Sequence, residues 1–132
     1  MNQGELTERT KRFGLRVMKL IDALPSTTSG RAVAGQLVRA GTSVAANYRA
    51  ACRGRSKAEF IAKLGVVEEE ADESAFWLEM IMDGGLLKRS KVEKLFDEAS
   101  QITAIMAASR ITASRNAVRA KIANRKSQIA NP

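Results

Sequence analysis

Apolar residues recur mostly at intervals of three, four and seven through four successive segments of this chain, and turn-forming residues separate the segments. That is the period of a helix, because a strand would alternate at every second residue. Leu6, Phe13, Val17, Leu20 and Leu24 form the first stripe; Val33, Leu37, Val44, Tyr48 and Ala51 form the second. The third is Phe60, Leu64, Val67, Ala71, Leu78 and Met82, and the fourth Leu95, Phe96, Ala99, Ile102 and Met106. The spacing predicts helices over about residues 5–24, 30–52, 57–83 and 91–115. Four one-sided helices on short connectors bury their stripes most simply as an all-α, antiparallel up-down-up-down four-helix bundle.

The breaks between stripes have local chemistry. Pro25 is expected to stop the first helix, with PSTTSG as a connector. Arg53-Gly54-Arg55 ends the second, with Gly54 suited to a left-handed cap. Ser56 and Glu59 have capping-box spacing, as do Ser90 and Glu93, so each pair is expected to open a helix. Gly84-Gly85 is read as a helix stop.

The residue inventory excludes several chemistries. With no histidine and the single cysteine Cys52, the chain has neither a histidine-based triad, nor a Cys/His zinc site, nor an internal disulfide. Neither a dinucleotide-binding glycine pattern nor a P-loop occurs. The run Glu68, Glu69, Glu70, Asp72 and Glu73 resembles a carboxylate metal site, but such bundle sites pair Glu with a Glu-x-x-His that is missing here. Solvated acids with one or two ion pairs are the better reading. No catalytic, cofactor-binding or metal-binding residue is therefore expected. No signal-like or membrane-length apolar run occurs, so the protein is expected to be cytoplasmic.

Charge is placed unevenly. The net charge is +8, and six of those charges lie after Ser109, where Arg110, Arg115, Arg119, Lys121, Arg125 and Lys126 occur without an acid. This predicts a nearly balanced bundle domain over about residues 1–110 and a basic extension over 111–132, partly helical or disordered. The six basic residues are the candidate nucleic-acid contacts, since such an end attracts phosphate backbones irrespective of sequence.

The second helix is too poor in large apolar residues for core packing alone. Beside its core stripe, Gln36, Arg39, Ser43, Ala46, Asn47 and Ala50 fall on one flank. Small residues there suit a close helix or subunit contact, with Arg39 and Asn47 supplying hydrogen bonds; an ordinary solvated flank is the plainer alternative. On the third helix Trp77 and Ile81 fall outside the core stripe, which suggests a subunit interface. Glu70 or Glu73 is then the expected partner of Arg39, because a charge in such a seam requires one.

The segments Gln36-Leu37-Val38-Arg39-Ala40, Thr42 to Ala50, Ser56-Lys57-Ala58-Glu59-Phe60, Glu70-Ala71-Asp72-Glu73 and Trp77-Leu78-Glu79 together resemble one family. It comprises the bacterial four-helix-bundle proteins named for intervening sequences of 23S ribosomal RNA genes. The resemblance implies a small homo-oligomeric bundle, a homopentamer by analogy with relatives, and carries no catalytic residues. It also implies kinship with the basic accessory proteins of diversity-generating retroelements, which work with a reverse transcriptase and nucleic acid. The extension after Arg110 departs from the family pattern. Two functions follow: a non-enzymatic nucleic-acid-binding accessory factor acting through the basic tail, or a scaffold for a reverse transcriptase or other enzyme. RNA or DNA, a nucleic-acid enzyme and further copies of the chain are the expected partners, with no membrane.

Overall fold

A computed structural model describes residues 1–130, and these form four helices: α1 (Gln3–Ile21), α2 (Thr28–Cys52), α3 (Lys57–Asp83) and α4 (Arg89–Ala130). Among the described residues there is no strand. Each helix packs on its sequence neighbour, and α4 closes the bundle on α1 over a short length. The expected all-α four-helix bundle is the observed architecture.

Every predicted stripe contributes to a single core. Phe13 and Val17 of α1, Leu37 and Val44 of α2, Leu64, Val67 and Leu78 of α3, and Ile102 and Met106 of α4 are fully enclosed. Tyr48 is buried with them, and burial, followed by the adjoining Cys52, raises the pKa of its phenol. The two buried polar side chains bond to their own helix: Thr10 Oγ1 donates to Leu6 O (2.8 Å) and Ser74 Oγ to Glu70 O (2.8 Å). Such back-bonding satisfies the hydroxyls without a cross-helix partner.

The helix ends differ from the predicted ones for local reasons. α1 stops at Ile21, before Leu24, where Ala23 N–H and Leu24 N–H bond to Leu20 O and Ile21 O in a tightened turn. The ring of Pro25 disfavours a helical residue before it. α2 starts earlier than predicted because Thr27 caps it, its hydroxyl accepting from Gly30 N–H at 3.1 Å. At α3 the expected box forms with a variation: Ser56 Oγ accepts from Glu59 N–H (3.1 Å), while the Glu59 carboxylate accepts from Arg55 N–H (3.0 Å).

Two predicted terminators behave otherwise. Gly54 is not left-handed; among the described residues Gly85 is the only one with positive φ, at 67°. There Leu86 N–H bonds back to Ile81 O and Gly85 N–H to Met82 O, a Schellman ending for α3. Ser90 does not cap α4, because the helix already begins at Arg89 and places Ser90 in its first turn. Nor does α4 end near residue 115. It runs unbroken to Ala130, since neither Gly nor Pro interrupts the chain from Leu86 to Asn131.

α1 and α2 approach closely at a pair of glycines. A methyl group on Gly41 would sit 2.8 Å from a methyl carbon of Val17, and one on Gly14 would sit 3.6 Å from Gly41 O. Val17 is fully enclosed and cannot yield. Gly41→Ala is therefore expected to destabilise the fold by about 1–3 kcal/mol through overpacking, less the roughly 1 kcal/mol that alanine gains in helix propensity. Gly35 has open space at the same position, so Gly35→Ala is expected to stabilise by up to about 1 kcal/mol. Urea unfolding of the two variants should give midpoints on opposite sides of the parent protein.

Candidate functional site

The signature of α2 and α3 meets at Arg39. One guanidinium nitrogen donates to Glu70 Oε2 (3.3 Å) and another to Glu73 Oε2 (2.5 Å), while Trp77 Nε1 donates to Glu73 Oε1 (3.4 Å). The hydrogen bond from Arg39 holds the Glu73 carboxyl below the usual carboxylate range. Arg39 is half exposed, so this cluster is a solvent-facing link between α2 and α3 within one chain. A carboxyl with a depressed folded-state pKa stabilises the fold above its unfolded pKa and loses that contribution as pH falls through the folded one. Arg39→Met is therefore expected to lower the urea midpoint at neutral pH, with the difference closing once the medium is acid enough to protonate Glu73.

The other flank residues fall into separate roles. Asn47 Nδ2 donates to Ser43 O at 2.9 Å, so it bonds along its own helix and not across a contact. Ser43 and Ala50 are half-buried, and Ala46 lines an open groove between α1 and α2 with Lys11, Arg49 and Cys52. Within the single chain the close helix contact is made by Gly41 and Gly14. Ile81 is fully enclosed in the core of the single chain, so it is not free for a subunit interface; the buried face of α3 is wider than the predicted stripe. Trp77 is half-buried at the core edge, with its ring edge-on to Phe76 at 4.9 Å.

Of the six tail cations, Arg110 is spoken for. Its Nε donates to Glu68 Oε1 at 2.9 Å, and a methyl group on Gly65 would lie 3.6 Å from its Cδ, so it ties α4 to α3. Arg115, Arg119, Lys121, Arg125 and Lys126 are exposed, and among the described residues none of them is held in an ion pair. Spacing along α4 spreads these five over about 16 Å of helix axis.

Two features were not visible in the sequence. Arg9 grips Glu98 with two nitrogens (2.9 and 2.6 Å) and reaches Gln101 (2.8 Å), fastening α1 to α4 where the helices touch. Farther along the same seam Arg16 and Lys19 of α1 and Lys91 and Lys94 of α4 line a groove that has no acid in its walls. A second basic surface thus lies at the end of the bundle opposite the extension. Both depend on residues far apart in sequence, and neither has a local signal.

A family model described as "23S rRNA-intervening sequence protein" matches residues 3–108. The chain belongs to this family. One solved relative is a protein of unknown function from the S23 ribosomal protein family of Bacteroides thetaiotaomicron VPI-5482. It is 27% identical with a TM-score of 0.74, and the match covers 80% of this chain and 97% of that one. No curated protein matches. The 23S rRNA-intervening sequence family match ends two residues before Arg110, so the basic part of α4 lies outside the matched residues. Among the described residues, no helix is long and apolar enough to cross a membrane, and no group of three or more acids and cysteines is placed to hold a metal ion.

Proposed function

We propose that this chain is a non-enzymatic, homo-oligomeric accessory factor that binds nucleic acid through the basic extension of α4. The observation that carries the reading is the row Arg115, Arg119, Lys121, Arg125 and Lys126: exposed, free of ion pairs among the described residues, and free of neighbouring acids in sequence. Cations so displayed attract phosphates whatever the base sequence, and each contact releases a condensed counterion. The groove of Arg16, Lys19, Lys91 and Lys94 supports the same reading from the other end of the bundle. Aromatic stacking has little part in it, since Tyr48 is enclosed, Trp77 is half-buried, and the exposed Phe76 stands among the acids Asp72 and Glu79 of α3, which repel phosphate.

The resemblance to bundle proteins that assemble as pentamers supports a homopentamer, in which five tails would gather about 25 cations. Its other implication is work beside a nucleic-acid enzyme such as a reverse transcriptase, and the expected setting is the cytoplasm, since the sequence has no signal-like or membrane-length apolar run. Fluorescence anisotropy with random-sequence RNA and DNA tests the core of the proposal. For five phosphate contacts on a single strand, the logarithm of the affinity is expected to fall with that of salt at a slope of about −3.5. A flat salt response, or no binding at low salt, would overturn it.

A further inference from the structure

Past Arg110 the helix α4 carries a second apolar stripe. Ile111, Val118, Ile122 and Ile129 fall within about 20° of one line on the helix, and each is exposed, from 42% for Ile111 to 74% for Ile129. This stripe does not continue the core face. The core side of α4, marked by Leu95, Ile102 and Met106, passes through Ala113, Ala117 and Ala120 on roughly the opposite side. Arg115 and Lys126 border the stripe on one flank and Arg125 on the other, with Arg119 and Lys121 farther out, all within about 80° of it.

α3 carries the complementary pattern. Phe76 and Met80 are 50% and 44% exposed on the side of α3 away from its core residues Leu64, Val67 and Leu78. The exposed acids Glu69, Asp72 and Glu79 lie within about 60° of Phe76 on that same side, with Asp83 beside them paired to Arg89 at 3.2 Å. One surface is therefore apolar with a basic border, and the other apolar with an acidic border.

A single chain cannot join them. The Arg110–Glu68 pair fixes the register of the antiparallel helices, and from it the tail runs toward the start of α3 while Phe76 lies in the other direction. Val118 and Phe76 are eight residues from the pair on opposite sides, about 24 Å apart along the axis. We infer that the extension of α4 docks in trans, its Ile111–Ile129 stripe against Phe76 and Met80 of a second copy, with the tail arginines facing Asp72 and Glu79. The contact is reciprocal or closes into a ring, so every tail finds a face. This names the surfaces for the self-association in the proposed function and does not require nucleic acid. Phosphates and the α3 acids draw on the same tail side chains.

Charge exchange between two full-length variants tests it, with helicity checked by circular dichroism. One is Asp72→Lys with Glu79→Lys, and the other Arg115→Glu with Arg125→Glu; all four positions are exposed. In sedimentation velocity each variant alone is expected to run as a smaller species than the parent protein, and an equal mixture to regain the parent's mass. A parallel variant, Val118→Asp with Ile122→Asp, is expected to lose the same association. Parent mass in both charge variants, or a mixture that does not recover, would overturn the docking while leaving another oligomer interface open. A monomeric parent would overturn both docking and oligomer. Flotation of a monomeric parent with phosphatidylglycerol vesicles would replace the second copy by a lipid surface and likewise overturn it. Anisotropy with RNA, read on the α3 variant, reports separately on the nucleic-acid reading.

Discussion

Replacing Arg115, Arg119, Lys121, Arg125 and Lys126 together by Gln is expected to weaken binding of random-sequence RNA by about 10²–10³-fold at 0.1 M salt. Each single-strand phosphate contact contributes about 0.7 to the salt slope, so five contacts make the affinity at 0.1 M roughly three orders of magnitude higher than at 1 M. The lower bound allows for residual attraction by the Arg16, Lys19, Lys91 and Lys94 groove, which the variant leaves intact. Glutamine is nearly as good a helix former as Arg or Lys, so α4 is expected to stay helical. The diagnostic result is a salt slope flattened by about 3.5 along with the lost affinity. An unchanged slope would move the nucleic-acid site off the extension.

Phe13→Ala is expected to cost about 3–5 kcal/mol, the largest stability effect of any substitution considered. Phe13 is fully enclosed, and its loss removes both buried apolar area and the packing of a cavity that the neighbours cannot fill. The position of α1 makes the loss more serious. It is the shortest of the four helices, leaning mainly on α2 and touching α4 along a short stretch held by Arg9 and Glu98. Total stabilities of small domains are of order 5–15 kcal/mol, so such a loss threatens the whole fold. Urea unfolding followed by circular dichroism checks it; a midpoint close to the parent's would mean that α1 is not integral to the cooperative unit.

Much of the fold was legible because helical periodicity is local. Val33, Leu37, Val44, Tyr48 and Ala51 announced the buried side of α2 from their spacing, and all five are buried. Glu70 or Glu73 was expected to partner Arg39 as a charge in a dehydrated seam; both do so, but Arg39 is half exposed, so the pairing is a solvent-facing link. Where readings diverged, a competing physical effect decided. Ser90 and Glu93 have the spacing of a capping box, yet the chain enters the helix at Arg89 after the Gly85 turn. Arg110 counted as a free cation until the antiparallel register set Glu68 beside it. Ile81 fell outside the predicted stripe, and tertiary packing widened the buried face to enclose it.

Four amphipathic helices, their connectors and the concentration of positive charge after Ser109 follow from spacing and composition along the chain. Which glycines sit where backbones touch, which cations are consumed by ion pairs, and which apolar residues remain uncovered follow from the packing of the helices. Those depend on register and on distances between residues as far apart as Arg9 and Glu98, or Glu68 and Arg110. One-dimensional periodicity gives the direction a side chain faces on its own helix; what it faces is set by the packing of the helix beside it.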